Sequence, residues 1–330
     1  MYDLEPMNAI AEKMNRLGAQ RIPFLFVVGY DNGKHLVIPL SELDADELLY
    51  SMGGFSNFND EIPVYFPQPV VFDSFPVSYE TYKIAFDNLF SGIQYGNSYL
   101  ANLTFATPIN TNLTLPEIFA RSTSSYRLWL RSQFTCFSPE CFVKIAGGKI
   151  FSFPMKGTIA ADTEEAKEKL LADIKENAEH TTIVDLIRND LAMVAENIRV
   201  NRFKYIDLIK TSKIPLYQMS SEISGDLPDN YHQIIGNIIF TLLPAGSVTG
   251  APKKKTVEMI KEAEISPRGW YTGIAGIFDG INLDSCVLIR LIEQTPDGLL
   301  FHSGGGITFM SQPEYEYREM IEKIYLPFVL

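Results

Sequence analysis

FVKIAGGKIFSFPMK, residues 142–156, contains two short apolar runs that flank a pair of glycines. The Gly147-Gly148 pair accepts the positive φ angles of a tight primed turn, so the stretch predicts a β-hairpin within an antiparallel sheet. Pairing residues outward from this turn places Glu140 beside Lys156 at the open end of the hairpin. Pro154 cannot donate a hydrogen bond to a ladder, so we expect the second strand to leave the sheet and Lys156 to lie on a bend.

Apolar runs elsewhere in the chain predict further strands and helices. Strands are expected at residues 24–30, 36–38, 99–105, 274–278, 285–291 and 299–302. Helices are expected at residues 79–94, 163–176 with resumption to 190, 231–243, 252–266 and 313–325. Because these elements mix without regular βαβ alternation, we predict an α+β fold with large antiparallel sheets.

The first 77 residues differ in pattern from the rest of the chain. Asp31-Asn32-Gly33 joins two apolar runs and predicts a hairpin, whereas residues 41–77 are rich in acidic residues and prolines, which favour irregular structure. We therefore expect a short β-containing N-terminal region, residues 1–77, that is part of the same fold as the main body, residues 78–330.

The charge balance of the 330-residue chain limits its partners. It has 28 Lys and Arg against 40 Asp and Glu, a formal net charge of −12. An acidic protein of this kind is not expected to bind nucleic acid or an anionic membrane, and a small anionic substrate would need a locally cationic pocket. The N-terminal stretch has no secretory pattern and no apolar run is long enough to span a membrane, which predicts a cytoplasmic protein.

Two pairs of glutamates have the spacing that places both members on one helix face. Glu176 and Glu179 form the first pair, and Glu316 and Glu319 form the second. If the two faces meet, four carboxylates suit Mg²⁺, a hard ion that prefers oxygen ligands. The alternative is that both pairs are solvated residues on exposed helices.

Arg290 and a glycine run are the remaining candidates for binding an anion. Arg290 falls inside an apolar strand, where a guanidinium needs either a buried carboxylate partner or an anionic ligand. Gly304, Gly305 and Gly306 follow a strand and precede a turn, where bare backbone can bring N–H groups to an anion. A structural salt bridge and a loose turn are the alternatives.

Five motifs occur in an order that is specific to one family. They are Ser138-Pro139-Glu140, Pro154-Met155-Lys156-Gly157-Thr158, Glu179-His180 with the run from Ile183 to Asp190, Gly246-Ser247-Val248-Thr249-Gly250-Ala251-Pro252-Lys253, and Gly304-Gly305-Gly306-Ile307. On these motifs the chain resembles the chorismate-utilising enzymes over its whole main body. The resemblance implies a single large domain of two packed antiparallel sheets with outer helices.

Within that family, the middle residue of the second motif separates the branches. It is typically alanine in anthranilate, isochorismate and salicylate synthases and lysine in aminodeoxychorismate synthases; here it is Lys156. The resemblance implies that the Lys156 amine attacks C2 of chorismate while the C4 hydroxyl leaves, and that ammonia then attacks C4 of the adduct. Glu140 resembles the general acid for the leaving hydroxyl. Anthranilate synthase component I and a non-catalytic chorismate-binding subunit are the alternatives.

The resemblance also implies a metal, a substrate pocket and a partner. Glu179 and Glu319 resemble direct Mg²⁺ ligands, and Glu176 and Glu316 resemble residues that hold metal-bound waters. The implied chorismate contacts are Thr158, Ser247, Tyr271, Arg290, Gly304, Gly305, Gly306 and Lys323. Ammonia is implied to come from a separate glutamine amidotransferase. Three positions depart from the family pattern: Cys141, His180 and Gln218.

Overall fold

The computed structural model describes residues 2, 4–31, 33, 35–59, 69–163, 165–209 and 215–328. Within these residues the strands form two antiparallel sheets of nine strands each. The strands of the first sheet are β1 (Phe24–Val28), β2 (His35–Pro39), β9 (Cys141–Ala146), β10 (Lys149–Ser152), β11 (Met155–Ala160), β12 (Glu196–Ile209), β13 (Leu216–Asp226), β15 (Ile274–Phe278) and β16 (Leu283–Val287).

The second sheet is built from strands that alternate along the chain with those of the first. Its strands are β3 (Leu48–Met52), β4 (Phe55–Ser56), β5 (Phe72–Ser74), β6 (Leu100–Thr111), β7 (Tyr126–Leu130), β8 (Phe134–Ser138), β14 (Gly250–Ala251), β17 (Leu291–Thr295) and β18 (Gly298–Thr308). The chain passes repeatedly between the two sheets. Because both sheets are antiparallel and no regular βαβ alternation occurs in the described residues, the predicted α+β architecture is confirmed.

Helices cover the outer faces of this sandwich. They are α1 (Met7–Ala19), α2 (Tyr79–Gln94), α3 (Leu115–Arg121), α4 (Glu165–Ala172), α5 (Ile174–Leu191), α6 (Ile235–Leu242), α7 (Lys253–Ala263) and α8 (Pro313–Glu322). Apolar residues of α1, α5 and α6 pack on the first sheet, and those of α2, α7 and α8 pack on the second. Side chains from both sheets share the core between them. In the described part of the chain, no helix has the length and apolar character needed to cross a membrane.

The predicted Gly-Gly hairpin is confirmed, with one correction at its open end. Ala146 pairs with Lys149, and the two glycines have φ of 58° and 73°. The ladder between β9 and β10 stops short of Glu140, whose carbonyl instead accepts a hydrogen bond from the N–H of Val287. The expectation that Glu140 pairs with the second strand of the hairpin is therefore wrong, because the backbone of Glu140 is hydrogen-bonded to the end of β16.

The bend predicted at Lys156 is present as a bulge, but the expectation that the chain leaves the sheet there is wrong, because β13 is long enough to pair with β10 and then with β11 in the same sheet. Beyond Pro154 the chain continues as β11, which pairs with β13 alone and carries a bulge between Met155 and Thr158. Gly157, inside that bulge, has φ of 77°, a backbone conformation that glycine adopts without strain. The bulge re-aims Lys156 away from the regular alternation of the strand.

Three predictions about the remaining strands need correction. The expected strand at 285–291 is divided between β16 in the first sheet and β17 in the second, with Arg290 in the crossover. The run 304–306 lies inside β18 and pairs with β6 instead of forming a loop. Residues 41–77 contain β3, β4 and β5, which are five, two and three residues long and therefore too short to show a clear alternation in the sequence. Residues 60–68 and Asn32 of the first hairpin turn lie outside the described residues.

The N-terminal strands are paired with strands of the main body. β1 pairs with β15, and β3 pairs with β7. The division of the chain at residue 77 stays a prediction. The helix expected from 163 to 190 is interrupted at Asp173, whose side chain caps α5 by accepting a hydrogen bond from the N–H of Glu176.

A buried ion pair joins the second sheet to the chain segments around it. The guanidinium of Arg268, with its side chain 2% exposed, binds Glu264 through Nη2 at 2.7 Å and through Nε. It also donates to the carbonyls of Val248 and Asn102 and to the hydroxyl of Thr272. One side chain thus fixes the end of α7, strand β6, the turn that precedes β14 and the loop that enters β15.

We predict that Glu264→Gln lowers the free energy of unfolding by about 3–5 kcal/mol, because it leaves the Arg268 charge buried without its carboxylate. Urea denaturation measures this loss. The matched control is Asp185→Asn, which removes the partner of Arg188 in an exposed pair on α5 and should cost only about 0–1 kcal/mol. Equal effects of the two substitutions would contradict the structural role of Arg268.

Candidate active site

A cavity of about 1000 Å³ opens between the sheets at the end of the sandwich where Lys156 lies. Strand β11, helices α5 and α8, and the β16–β17 crossover supply its walls. Of the residues singled out from the sequence, those in its lining are Lys156, Thr158, Glu176, Glu179, Arg290, Gly306, Glu316, Glu319 and Lys323. Side chains separated by more than a hundred positions therefore meet around one space of a size that suits a small molecule.

Lys156 projects from the β11 bulge onto the carboxylate of Glu179. Its Nζ lies 3.0 Å from Glu179 Oε2, and the Glu179 side chain is only 8% exposed. Burial alone would lower the pKa of the Lys156 amine, but the carboxylate of Glu179, followed by those of Glu319 and Glu176, raises this pKa above its ordinary value. The isolated protein thus holds Lys156 as a cation.

Two other lysines neutralise the glutamates on α8. Lys175 Nζ lies 3.1 Å from Glu316, and Lys323 Nζ lies 2.6 Å from Glu319. Lys323 also donates to the carbonyl of Gly304, and its burial lowers the pKa of its amine. Three lysines and four glutamates therefore face one another at this cavity.

The four glutamates offer the oxygen donors that Mg²⁺ prefers. The buried Oε1 of Glu179 has no hydrogen-bond partner, and Glu176 lies against the bare backbone of Gly157, where a Cβ would come within 3.0 Å of its Oε2. Among the residues the structure describes, no group of three or more His, Cys, Asp or Glu is already arranged as a metal site. The carboxylate donors, and an oxygen whose nearest cation is the Lys175 ammonium 3.8 Å away, fit a divalent cation.

Glu140 and Ser247 lie together outside the lining of the large cavity. Ser247 Oγ is 2.6 Å from Glu140 Oε1, and both residues line a separate, smaller cavity of about 30 Å³. Burial raises the pKa of the Glu140 carboxyl, while the Ser247 hydroxyl and the charge of Lys156 act in the opposite direction. A carboxyl with a raised pKa is suited to donate a proton.

Arg290 occupies the crossover between the sheets in a left-handed conformation, with φ of 55°. Because it lies between the end of β16 and the start of β17, the expectation that it lies inside an apolar strand is wrong. Its side chain is half-buried and lines the cavity. Its Nε donates to the hydroxyl of Tyr325 at 3.2 Å, and its guanidinium lies 5.4 Å from the centroid of that ring. No described carboxylate forms a salt bridge with Arg290, which leaves its charge available to an anion in the cavity.

Tyr271 lies deeper than the cavity wall. It is 3% exposed, and its ring stacks on that of His302 with centroids 5.2 Å apart. Burial raises the pKa of the Tyr271 hydroxyl to about 12. This predicted substrate contact is therefore outside the lining of the large cavity, and its role stays a prediction.

The glycine run forms the open edge of β18. β17 pairs with β18 only as far as His302, so the following residues have no strand on that side. The carbonyl of Gly304 points to Lys323, and in an antiparallel strand the N–H of the same residue points the same way. A Cβ on Gly305 would approach Glu316 and Glu319, and one on Gly306 would lie 3.3 Å from Lys156 Nζ. Bare backbone therefore borders the cavity, although not as the loop expected.

Lys175 and Tyr325 are among the cavity residues that sequence reasoning missed. Lys175 lies four positions before Glu179, a spacing that signals an ion pair on one helix face. Tyr325 follows the end of α8 and has no motif around it. At the departures from the family pattern, His180 is fully buried with Nε2 2.7 Å from Ser221 Oγ, and Gln218 pairs across the strands with Thr158.

The chain has relatives among named proteins and solved structures. An uncharacterized PabA-like protein of Pasteurella multocida is 48% identical over 97% of this chain and 99% of its own length. Aminodeoxychorismate synthase component 1 of Bacillus subtilis is 33% identical over 76% of this chain and 55% of its own length.

Structural likeness extends over almost the whole chain. The menaquinone-specific isochorismate synthase of Escherichia coli has a TM-score of 0.73 at 16% identity, covering 98% of this chain and 83% of that one. Anthranilate synthase component I of Streptococcus pneumoniae has a TM-score of 0.68 at 20% identity, covering 97% and 78%. At these identities the likeness establishes the fold alone, and it confirms the predicted single domain of two antiparallel sheets with outer helices.

The sequence profile of chorismate binding enzymes matches residues 61–327, which include every strand and helix that lines the large cavity. The match spans most of the chain and agrees with the order of motifs read from the sequence. The chain belongs to the chorismate binding enzyme family.

Proposed function

We propose that this protein aminates chorismate at C4 to give 4-amino-4-deoxychorismate, a cytoplasmic step towards p-aminobenzoate and folate. The observation that carries the proposal is the Lys156 amine, which the β11 bulge aims into the cavity beside Glu179. The Bacillus subtilis relative that bears the name aminodeoxychorismate synthase component 1 supports the same branch.

Chorismate would enter as a dianion. The charge of Arg290 and the open edge of β18 at Gly304 and Gly306 would bind one carboxylate, with Lys323 and Thr158 at the wall of the same cavity. Mg²⁺, held by Glu179 and Glu319 with Glu176 and Glu316 around bound water, would neutralise the other carboxylate. These assignments supply the locally cationic pocket that an acidic chain requires.

Lys156 would act as the nucleophile. The Lys156 ammonium first releases a proton to solvent, because only the neutral amine is a nucleophile. The amine then bonds to C2 as the ring double bonds shift and the C4–O bond breaks, and the hydroxyl leaves as water after taking a proton from Glu140. Ammonia then bonds to C4, the double bonds shift back, the C2–N bond to Lys156 breaks, and the proton that the new C4 ammonium group loses restores the Glu140 acid. Glu140 is suited to the loss of the hydroxyl because burial raises the pKa of its carboxyl above the ordinary value.

Ammonia would be supplied by a separate glutamine amidotransferase. Anthranilate synthase is the second candidate because relatives of that name match the chain, including one from Spirochaeta aurantia at 35% identity over 57% of this chain. An alanine at position 156 would favour the anthranilate synthase reaction, whereas the amine of Lys156 favours amination at C4.

We predict that chorismate leaves a covalent adduct on Lys156 when ammonia is withheld. Intact-mass and peptide analysis should place it between Pro154 and Thr158, and ammonium should release it as 4-amino-4-deoxychorismate. Lys156→Ala should form none, whereas Lys149→Ala, which removes an exposed lysine from the nearby hairpin, should behave as wild type. Anthranilate and pyruvate as products would instead support the second candidate.

The metal assignment predicts that Glu179→Gln and Glu319→Gln each weaken Mg²⁺ binding by at least about tenfold, since each removes a charged ligand. Calorimetric titration of the folded variants measures this binding without turnover. Glu322→Gln removes a carboxylate from the same cavity that has no assigned ligand role and should bind Mg²⁺ like the wild type. Equal binding by all three variants would remove the assignment.

The contact between Ser247 and Glu140 predicts a change in the pH profile. Ser247→Ala deletes a hydrogen bond that favours the charged carboxylate, so the pKa of Glu140 should rise and the loss of activity on the alkaline side should move to higher pH. Glu140→Gln has no titrating carboxyl at this position, so comparison with it identifies the alkaline part of the pH profile that reports the pKa of Glu140. Ser152→Ala, whose hydroxyl lines the same small cavity but donates to Phe142, should leave the profile unmoved.

A further inference from the structure

Lys175 places a positive charge between carboxylates that belong to two helices. Its Nζ lies 3.1 Å from Glu316 Oε1 on α8 and 3.8 Å from Glu179 Oε1 on α5. The side chains of Glu316 and Glu179 are only 3% and 8% exposed, and carboxylates so far removed from water need a cation beside them. The Lys175 ammonium supplies that charge from the wall of the large cavity.

The position of Lys175 within α5 does not itself favour a cation. Lys175 lies in the first turn of the helix, two residues after the N-cap Asp173, where the helix dipole disfavours positive charge. Ile174 beside it is 78% exposed, so this end of α5 borders solvent. Helix stability therefore does not account for a lysine here, whereas the two buried carboxylates do.

An ammonium group and a metal ion compete for a place of this kind because both are cations held by carboxylate oxygens. Mg²⁺ takes oxygen ligands at about 2.0–2.1 Å, whereas an ammonium nitrogen lies about 2.7–2.9 Å from a carboxylate oxygen. The space between Glu179 and Glu316 now holds the ammonium of Lys175. Because two cations in that space would repel each other, only one of them can occupy it.

Lys175 is also the most exposed of the three lysines that neutralise the glutamates. The side chains of Lys156 and Lys323 are 25% and 24% exposed, and Lys323 donates to the carbonyl of Gly304 as well. The Lys175 side chain is 34% exposed and lies at the solvent end of its helix. Rotation about the bonds of its flexible four-carbon stem carries the ammonium into water without movement of the backbone.

We propose that Lys175 is a placeholder for the divalent cation: it neutralises Glu179 and Glu316 while the site lacks metal, and it moves into solvent when Mg²⁺ binds. The inference rests on the metal site of the proposed function. Because α5 packs on the first sheet and α8 on the second, the ion pair also joins the two sheets across the cavity before the metal does. Displacing the amine lowers the apparent affinity for Mg²⁺ in exchange for a stable metal-free site.

Calorimetric titration with Mg²⁺ tests the competition on the full chain. Lys175→Met keeps the length of the side chain and removes its charge, so the variant should bind Mg²⁺ at least about fivefold more tightly than the wild type. Without metal the same variant should lose about 2 °C or more in Tm, because Glu316 has lost its cation, and saturating Mg²⁺ should restore the wild-type Tm.

Lys204→Met is the matched control for the loss of one charge. Lys204 donates to the side-chain oxygen of Asn177 on α5, so its removal takes away an equal charge near the same helix without freeing Glu179 or Glu316. Its effect on Mg²⁺ binding should stay below about twofold, since only a more distant, screened interaction changes.

A second measurement follows the amine in the wild-type chain and does not depend on the folding of any variant. An amine-reactive acylating reagent at fixed pH, read by peptide mass spectrometry, should modify Lys175 at least about threefold faster with saturating Mg²⁺, because the released amine lies in water. Lys254, an exposed lysine on α7, is the internal reference and should react equally with and without metal.

The outcomes separate this inference from the proposed function. If the wild type binds Mg²⁺ but the labelling of Lys175 does not change, or if Lys175→Met binds Mg²⁺ no more tightly than Lys204→Met, the amine stays in place and the placeholder is wrong. A Tm loss in Lys175→Met that saturating Mg²⁺ leaves unchanged indicates a purely structural ion pair and also contradicts it. A wild-type chain that binds no Mg²⁺ overturns the metal site of the proposed function, and this inference with it.

Discussion

The buried guanidinium of Arg268 is the interaction on which the arrangement of the site depends. A charge that is almost fully removed from water must have all its donors paired, and Glu264 with three further oxygen acceptors supplies those partners. Two of these partners, Val248 and Thr272, are the immediate neighbours of Ser247 and Tyr271 in the chain. The need to satisfy one cation therefore sets where two candidate substrate contacts lie relative to the second sheet.

The same logic of charge explains how an acidic protein builds a site for an anion. Glutamates from α5 and α8 converge on one cavity, where their mutual repulsion is offset by the ammonium groups of Lys156, Lys175 and Lys323. Arg290 is the cation in that lining without a carboxylate partner among the described residues. The net charge of the chain and the local charge of the cavity are thus separate quantities, and the local charge decides which small molecules the cavity binds.

Local chemistry made much of this fold predictable from the sequence. The Gly147-Gly148 turn, the bend after Pro154 and the helix from Tyr79 each follow from residues within a few positions of one another. The errors involve long-range competition: β16 displaces the expected partner of Glu140, and an apolar run at 285–291 is shared by two sheets. Family motifs supplied many of the residues that line the large cavity. Lys175 could have been found from its spacing to Glu179, whereas Tyr325 is placed there by tertiary packing that no short motif encodes.

The crossover at Arg290 shows a conflict between folding and binding within a single residue. Its left-handed backbone, with φ of 55°, is one that glycine adopts freely and that costs other residues about 1 kcal/mol or more. A chain selected only for stability would place glycine where the strand changes sheets, yet glycine would remove the unpaired cation from the cavity. The residue type at this position should therefore depend on both backbone strain and anion binding. Proteins of this fold that bind no anion there can carry glycine and avoid the strain.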